Sequence, residues 1–92
     1  MPEKTPTPDQ ITIVRLGEKL RAIRQRAGLT LDQMAARLGR IEPARRVRVH
    51  EWEIGRRTPN LVAILGYARF AGISTDVLLD DALDLPPAKE QD

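Results

Sequence analysis

The segment ARRVRVHEWEIGRRTP, Ala44 to Pro59, holds five arginines in sixteen residues, together with the chain's only tryptophan and only histidine. Guanidinium groups bind phosphate through charge-assisted hydrogen bonds and present paired donors to guanine O6 and N7. The chemistry on offer is recognition of anions and base edges. Other chemistries are poorly supplied. His50 and Glu53 stand three apart, but no second ligand set accompanies them, so they make a poor metal site. Ser74 is the only serine, and no triad arrangement surrounds it. There is no glycine-rich phosphate loop. Asp80, Asp81 and Asp84 lack the ordered spacing of a calcium loop. With no cysteine, disulfides and thiolate metal sites are excluded. The reading is a non-enzymatic chain with no metal or cofactor.

Charge is segregated along the sequence. Between Arg15 and Arg57 there are twelve Arg or Lys against five Asp or Glu, whereas the rest of the chain is net acidic. A basic block of this kind points to an anionic partner, nucleic acid first. At 92 residues the chain is one small domain with a modest core. Residues 1–12 carry three prolines and little apolar surface, which predicts a flexible arm. Residues 83–92 read as an acidic tail for the same reason. No apolar run resembles a secretory signal or a membrane span, so a cytoplasmic, nucleoid-associated location is expected, with no membrane partner.

The elements between arm and tail follow a helical period. Leu16, Leu20, Ile23 and Ala27 make one face of a first helix, stopped by Gly28. Thr30 caps a second, at about 30–38, with Leu31, Met34, Ala35 and Leu38 on one face. Pro43 interrupts the next stretch, and a third helix runs over about 45–54 with Val49 and Trp52 inward. Trp52 is a core residue on this reading, because one aromatic does not make a stacking platform. Pro59 and Asn60 open a fourth helix with Leu61, Ile64, Leu65 and Ala68 inward. Ser74 caps a short fifth containing Val77 and Leu78. The predicted fold is all-α, with five short helices in one compact domain over residues 13–82. Two short helices joined by a glycine-containing turn are also a geometry that DNA readers use.

Several separated marks then fall into line: an arginine-rich first helix, AGLT, LG at the end of the second helix, WE.G.R.P, and AGIS.D.LL. Over Leu16 to Leu79 the chain resembles the Xre/Cro family of phage-repressor-like helix-turn-helix regulators. The resemblance implies sequence-specific binding of double-stranded DNA, with the third helix in the major groove, by a homodimer; with no large second domain in the sequence to hold it, that dimer is expected to be weak without DNA. It also implies an ion pair between Arg24 and Glu53, with Trp52 beside it in a structural role. Two departures stand out. Leu31 occupies a position where the family often carries a phosphate-binding glutamine. The turn RIEPAR is about four residues longer than the compact pattern, which resembles a long-turn variant of the family.

On that frame the site residues divide by role. Arg45, Arg46, Arg48, His50 and Glu51 are the candidates for base contact, with Arg46 the expected reader and Arg45 and Arg48 also placed to hold phosphate. Glu51 suits cytosine N4, or it orients Arg48 or a neighbouring arginine. Thr30, Gln33, Arg37, Arg40, Arg56, Arg57 and Thr58 are the candidates for phosphate, which gives affinity and register without sequence information. Leu79 and Leu83 are the expected exposed residues of a dimer surface. A protein-interaction module, such as an antitoxin working through the acidic C-terminus, is the competing reading. RNA binding is a third, disfavoured by the low aromatic content.

Overall fold

Each helical period in the sequence becomes a helix, and one stripe of each helix is buried. The computed structural model describes residues 12–39 and 45–87. The arm up to residue 11, Arg40 and the rest of the enlarged turn through residue 44, and residues 88–92 lie outside the described residues. The elements are α1 (Leu16–Arg26), α2 (Leu31–Arg37), α3 (Arg45–Glu53), α4 (Leu61–Ala71) and α5 (Thr75–Leu79), with no strand among the described residues. The all-α, five-helix expectation is the observed architecture.

The core is a single cluster. Leu16, Leu20 and Ile23 of α1 meet Met34 and Ala35 of α2, Val49 and Trp52 of α3, Ala63, Ile64, Tyr67 and Ala68 of α4, and Leu78 of α5. The Trp52 and Tyr67 rings meet edge to face, with centroids 6.4 Å apart. That geometry sets the positive edge of one ring against the negative face of the other. Truncating such a side chain in a core this small costs about 3–5 kcal/mol.

Capping fixes where the helices start. Thr30 and Gln33 form a reciprocal capping box on α2: the Thr30 hydroxyl accepts from the Gln33 N–H, and Gln33 Oε1 accepts from the Thr30 N–H. The Asn60 side chain accepts from the Ala63 N–H at 2.8 Å and starts α4. Ser74 occupies the N-cap of α5 but makes no side-chain cap bond.

Three expectations are corrected. Ala27 is exposed, because α1 ends one residue earlier and Ala27 is its C-cap. On α4 the inward face is Ala63, Ile64, Tyr67 and Ala68. Leu61 is 80% exposed and Leu65 46%, so the apolar pattern there contained two overlapping stripes and the buried one includes the tyrosine. The segment from residue 83, expected as a tail, lies against α1 as far as Pro86. Leu83 O accepts from Lys19 Nζ, Asp84 from Arg15, and Pro86 O from Arg26. Leu85 packs on the core. One acidic side chain, Asp84, finds Arg15 at the N-cap of α1, and two backbone carbonyls take Lys19 and Arg26 of the helix, which offsets the ordering entropy that composition alone left uncovered.

Two further features hold α1 in place. Lys19 is buried, and its ammonium donates to the carbonyls of Val77, Asp80 and Leu83 at 2.8–3.0 Å. A cation is thus seated at the C-terminal end of α5, where the helix dipole favours it. Gly17 lies against the end of α3, where an added Cβ would stand 2.6 Å from the carbonyl oxygen of Glu53. Only glycine allows this approach, and it brings the C-terminal end of α3 to a fixed position on α1.

Candidate nucleic-acid interface

Helix α3 places its charges against its own dipole. A helix N-terminus carries a partial positive charge and favours acidic side chains. Helices α1, α2 and α5 follow that rule with Glu18, Asp32 and Asp76 in their first turns. Helix α3 has no acidic residue in its first turn and instead carries Arg45, Arg46 and Arg48 near that end. Arg46 is exposed, and Arg45 and Arg48 are half-buried. A helix that breaks a local rule at its surface marks a place where another requirement governs the residues.

The far end of α3 supplies the second cationic group. Gly55 has φ +80°, the left-handed conformation that stops the helix. The N–H of Arg56 then turns back to the Glu51 carbonyl at 2.9 Å, and the N–H of Gly55 to that of Trp52 at 3.2 Å. This Schellman geometry sends the chain off the helix axis. Arg56, Arg57 and Thr58 follow on an exposed stretch, and Pro59 is buried behind them.

Two glutamates of α3 are ion-paired. The Glu53 side chain is 3% exposed and accepts from Arg24 Nε at 2.6 Å and Nη2 at 3.0 Å. Arg24 Nη1 also donates to the Leu29 carbonyl at 2.9 Å. Hydrogen bonding to Glu53 raises the Arg24 guanidinium above its ordinary value, against the opposing effect of burial. Beside this pair the buried Tyr67 hydroxyl has no hydrogen-bond partner among the described residues. Burial, with the Glu53 charge, pushes its pKa up. Glu51 is the other case. Its Oε1 stands 3.0 Å from Arg57 Nε and 3.7 Å from Arg48 Nε. Of the two roles open to it in the sequence, the observed contacts are with arginines.

The remaining site residues are placed unequally. His50 is exposed on α3. Thr30 and Gln33 use one acceptor each in the capping box, which leaves the Thr30 hydroxyl proton and the Gln33 amide hydrogens as the groups able to donate outward. Arg37 lies over the Phe70 ring, 5.9 Å from its centroid, a cation–π contact that ties it to α4. Leu79 is half-buried against the core, and Leu83 is 40% exposed.

Sequence reasoning missed Val47, which is exposed between Arg46 and Arg48. Its signal was an apolar residue off the Val49–Trp52 stripe. It also missed the exposed patch of Leu61, Val62 and Leu65. Among the described residues no group of three or more His, Cys, Asp or Glu is placed to hold a metal ion. No helix among them is long and apolar enough to cross a membrane.

Residues 15–85 match the family model of a helix-turn-helix domain. The fold is also similar to the crystal structure of the phage P22 c2 repressor protein in complex with synthetic operator 9T. That likeness has a TM-score of 0.60 at 25% sequence identity and covers 70% of this chain and 91% of that one. Among curated proteins none has a matching sequence.

Proposed function

Because the chain belongs to the helix-turn-helix domain family and has an Xre/Cro-type repressor fold, we propose that it is a small transcription regulator that binds double-stranded DNA by sequence. The carrying observation is the cluster of arginines at the N-terminal end of α3, where the helix dipole disfavours them and solvent reaches them. DNA binding by the similar phage repressor, seen with its synthetic operator, supports the same reading.

In this reading α3 enters the major groove. Arg46 reads guanine O6 and N7, Arg45 and Arg48 share base and phosphate contacts, and His50 lies on the same outer surface. Val47 is placed to meet a thymine methyl. Arg56, Arg57 and Thr58 grip phosphate after the helix, and Thr30 and Gln33 donate to phosphate at the start of α2. Arg37, held over Phe70, contributes charge, and Arg40 adds a further cation. About six neutralised phosphates give a slope near −5 for log K against log salt.

The protein acts as a homodimer on a two-fold site, with half-sites about one DNA turn apart. Leu61, Val62 and Leu65 offer more exposed apolar surface for it than Leu79 and Leu83. It works in the cytoplasm, at the nucleoid. Asp81, Asp84 and Pro86 are engaged by Arg15 and Arg26 at the two ends of α1, so a protein-interaction role through a free acidic tail has less support.

The test is selection from a randomised duplex library, with Arg46→Ala run in parallel. A symmetric motif that blurs at one position in the variant is the expected result. Salt-dependent binding without a motif would reduce the protein to a non-specific binder, and no binding would overturn the reading.

A further inference from the structure

Glu51 poses a physical problem at a DNA-binding surface. A carboxylate among groove-facing arginines repels phosphate and lowers affinity for every duplex. Its side chain is only 18% exposed, and a single oxygen serves both Arg57 and Arg48. The main chain of the same residue accepts the N–H groups of Arg56 and Arg57. Glu51 therefore joins a cation on the recognition helix to a cation on the following loop through its side chain, while its carbonyl holds the backbone of that loop.

We propose that Glu51 is a positioning residue that sets DNA specificity by holding Arg48 and Arg57 in fixed register, and that it does not read a base. The proposal rests on the DNA-binding reading above. Both guanidiniums approach the carboxylate through Nε. That leaves the end-on pair of Nη donors of each for an outside acceptor, the pair that fits guanine O6 and N7 or two phosphate oxygens. Held in this way, the two arginines bind well only where base and phosphate have the correct spacing. Freed from the carboxylate, each swings to the nearest phosphate on any sequence. To reach cytosine N4, Glu51 would have to leave both arginines, and its negative charge would then stand uncompensated beside the backbone.

The experiment measures affinity for two duplexes as a function of salt: the one selected by the wild-type protein and a shuffled duplex of the same composition. Glu51→Gln keeps the shape and an acceptor but removes the charge. It is expected to tighten binding to the shuffled duplex severalfold and to reduce the ratio of selected to shuffled affinity about tenfold, a change of one unit in log K. The salt slope on the shuffled duplex is expected to steepen by about one, as a freed arginine neutralises a further phosphate. In an Arg48→Gln/Arg57→Gln background, the same substitution should leave the ratio unchanged, because the residues it acts through are gone. An unchanged ratio in the single variant would overturn the proposal. So would a loss of preference at one cytosine that persists in the Arg48→Gln/Arg57→Gln background, since Glu51 would then be reading that base. Failure of the wild-type protein to bind any duplex would instead overturn the DNA-binding reading itself, and this proposal with it.

Discussion

Glu51 and Glu53 stand two residues apart on α3 and both pair with arginine, yet they lie in different physical settings. Glu53 is buried and takes two guanidinium nitrogens of Arg24, which in turn holds the Leu29 carbonyl. Glu51 is nearer solvent, and it faces Arg48 and Arg57, which are 37% and 54% exposed. The inner pair has lost its water and depends on its partner. The outer group keeps enough water that its contacts do little for stability, and its arginines remain available to another anion. One helix thus uses the same chemistry to anchor itself on α1 and to arrange a surface.

Breaking the inner pair should give the largest effect. Arg24→Ala leaves the Glu53 carboxylate buried without a counter-charge, at a cost of about 3–5 kcal/mol. Chemical denaturation would measure it. A loss below about 1 kcal/mol would place this pair in the same class as surface ion pairs. Gly17→Ala probes the same junction sterically. Its Cβ would press on the Glu53 and Trp52 carbonyl oxygens at 2.6 and 2.9 Å, and those are backbone atoms that cannot step aside as a side chain does. An expected loss of about 1–3 kcal/mol, read as a lowered Tm, follows from overpacking.

The outer surface should respond in binding and hardly at all in folding. Arg46→Ala should cost about 1–3 kcal/mol on the selected duplex and relax one base position. Arg56→Ala should weaken all duplexes alike and reduce the salt slope by about one. Equal loss of base preference in both variants would mean that the helix and the loop do not divide the work.

Asp81 sharpens the contrast, because it is a half-buried carboxylate that binds backbone. The N–H of Val14 lowers its pKa below the ordinary 3.8, assisted by the N–H of Arg15. A depressed folded-state value means that the stabilisation is present above 3.8 and is lost as pH falls through the folded pKa. Asp81→Asn should therefore be less stable than wild type at neutral pH, and the difference should shrink in acid below the normal carboxylate range. Unfolding curves across that range would check it, and a constant difference would remove Asp81 from the acid response.

How much of this was legible depended on whether the signal was local. The helices were, because period and caps are local: Thr30, Asn60, and the glycines after α1, α2 and α3. The Arg24–Glu53 pair was legible only through family resemblance, since nothing within a window of sequence links residues 29 apart. The docking of residues 83–86 was not legible, because their composition is that of a tail and their partners, Arg15, Lys19 and Arg26, lie 60 to 69 residues away in the sequence. Lys19 did leave a trace, as a lysine inside the Leu16–Leu20–Ile23 stripe. On α4 the run LVAIL satisfied two helical faces at once, and only packing chose the one with Tyr67. At the interface, the arginines were visible by composition. Which of them Glu51 holds depended on the turn at Gly55, a tertiary detail.

The smallest expected effect is the stability of Glu51→Gln, and it separates the two glutamates most cleanly. Its arginine partners are more than one-third exposed, so solvent screens the attraction, and exposed pairs of this kind contribute about 0–1 kcal/mol. The backbone acceptor that sets the loop is the Glu51 carbonyl, which the substitution leaves in place. The amide also keeps an oxygen within reach of Arg57. The Tm should therefore stay within a few degrees of wild type while the specificity ratio falls. A large drop in Tm would show that Glu51, like Glu53, holds the fold together, and the contrast between them would then be one of degree.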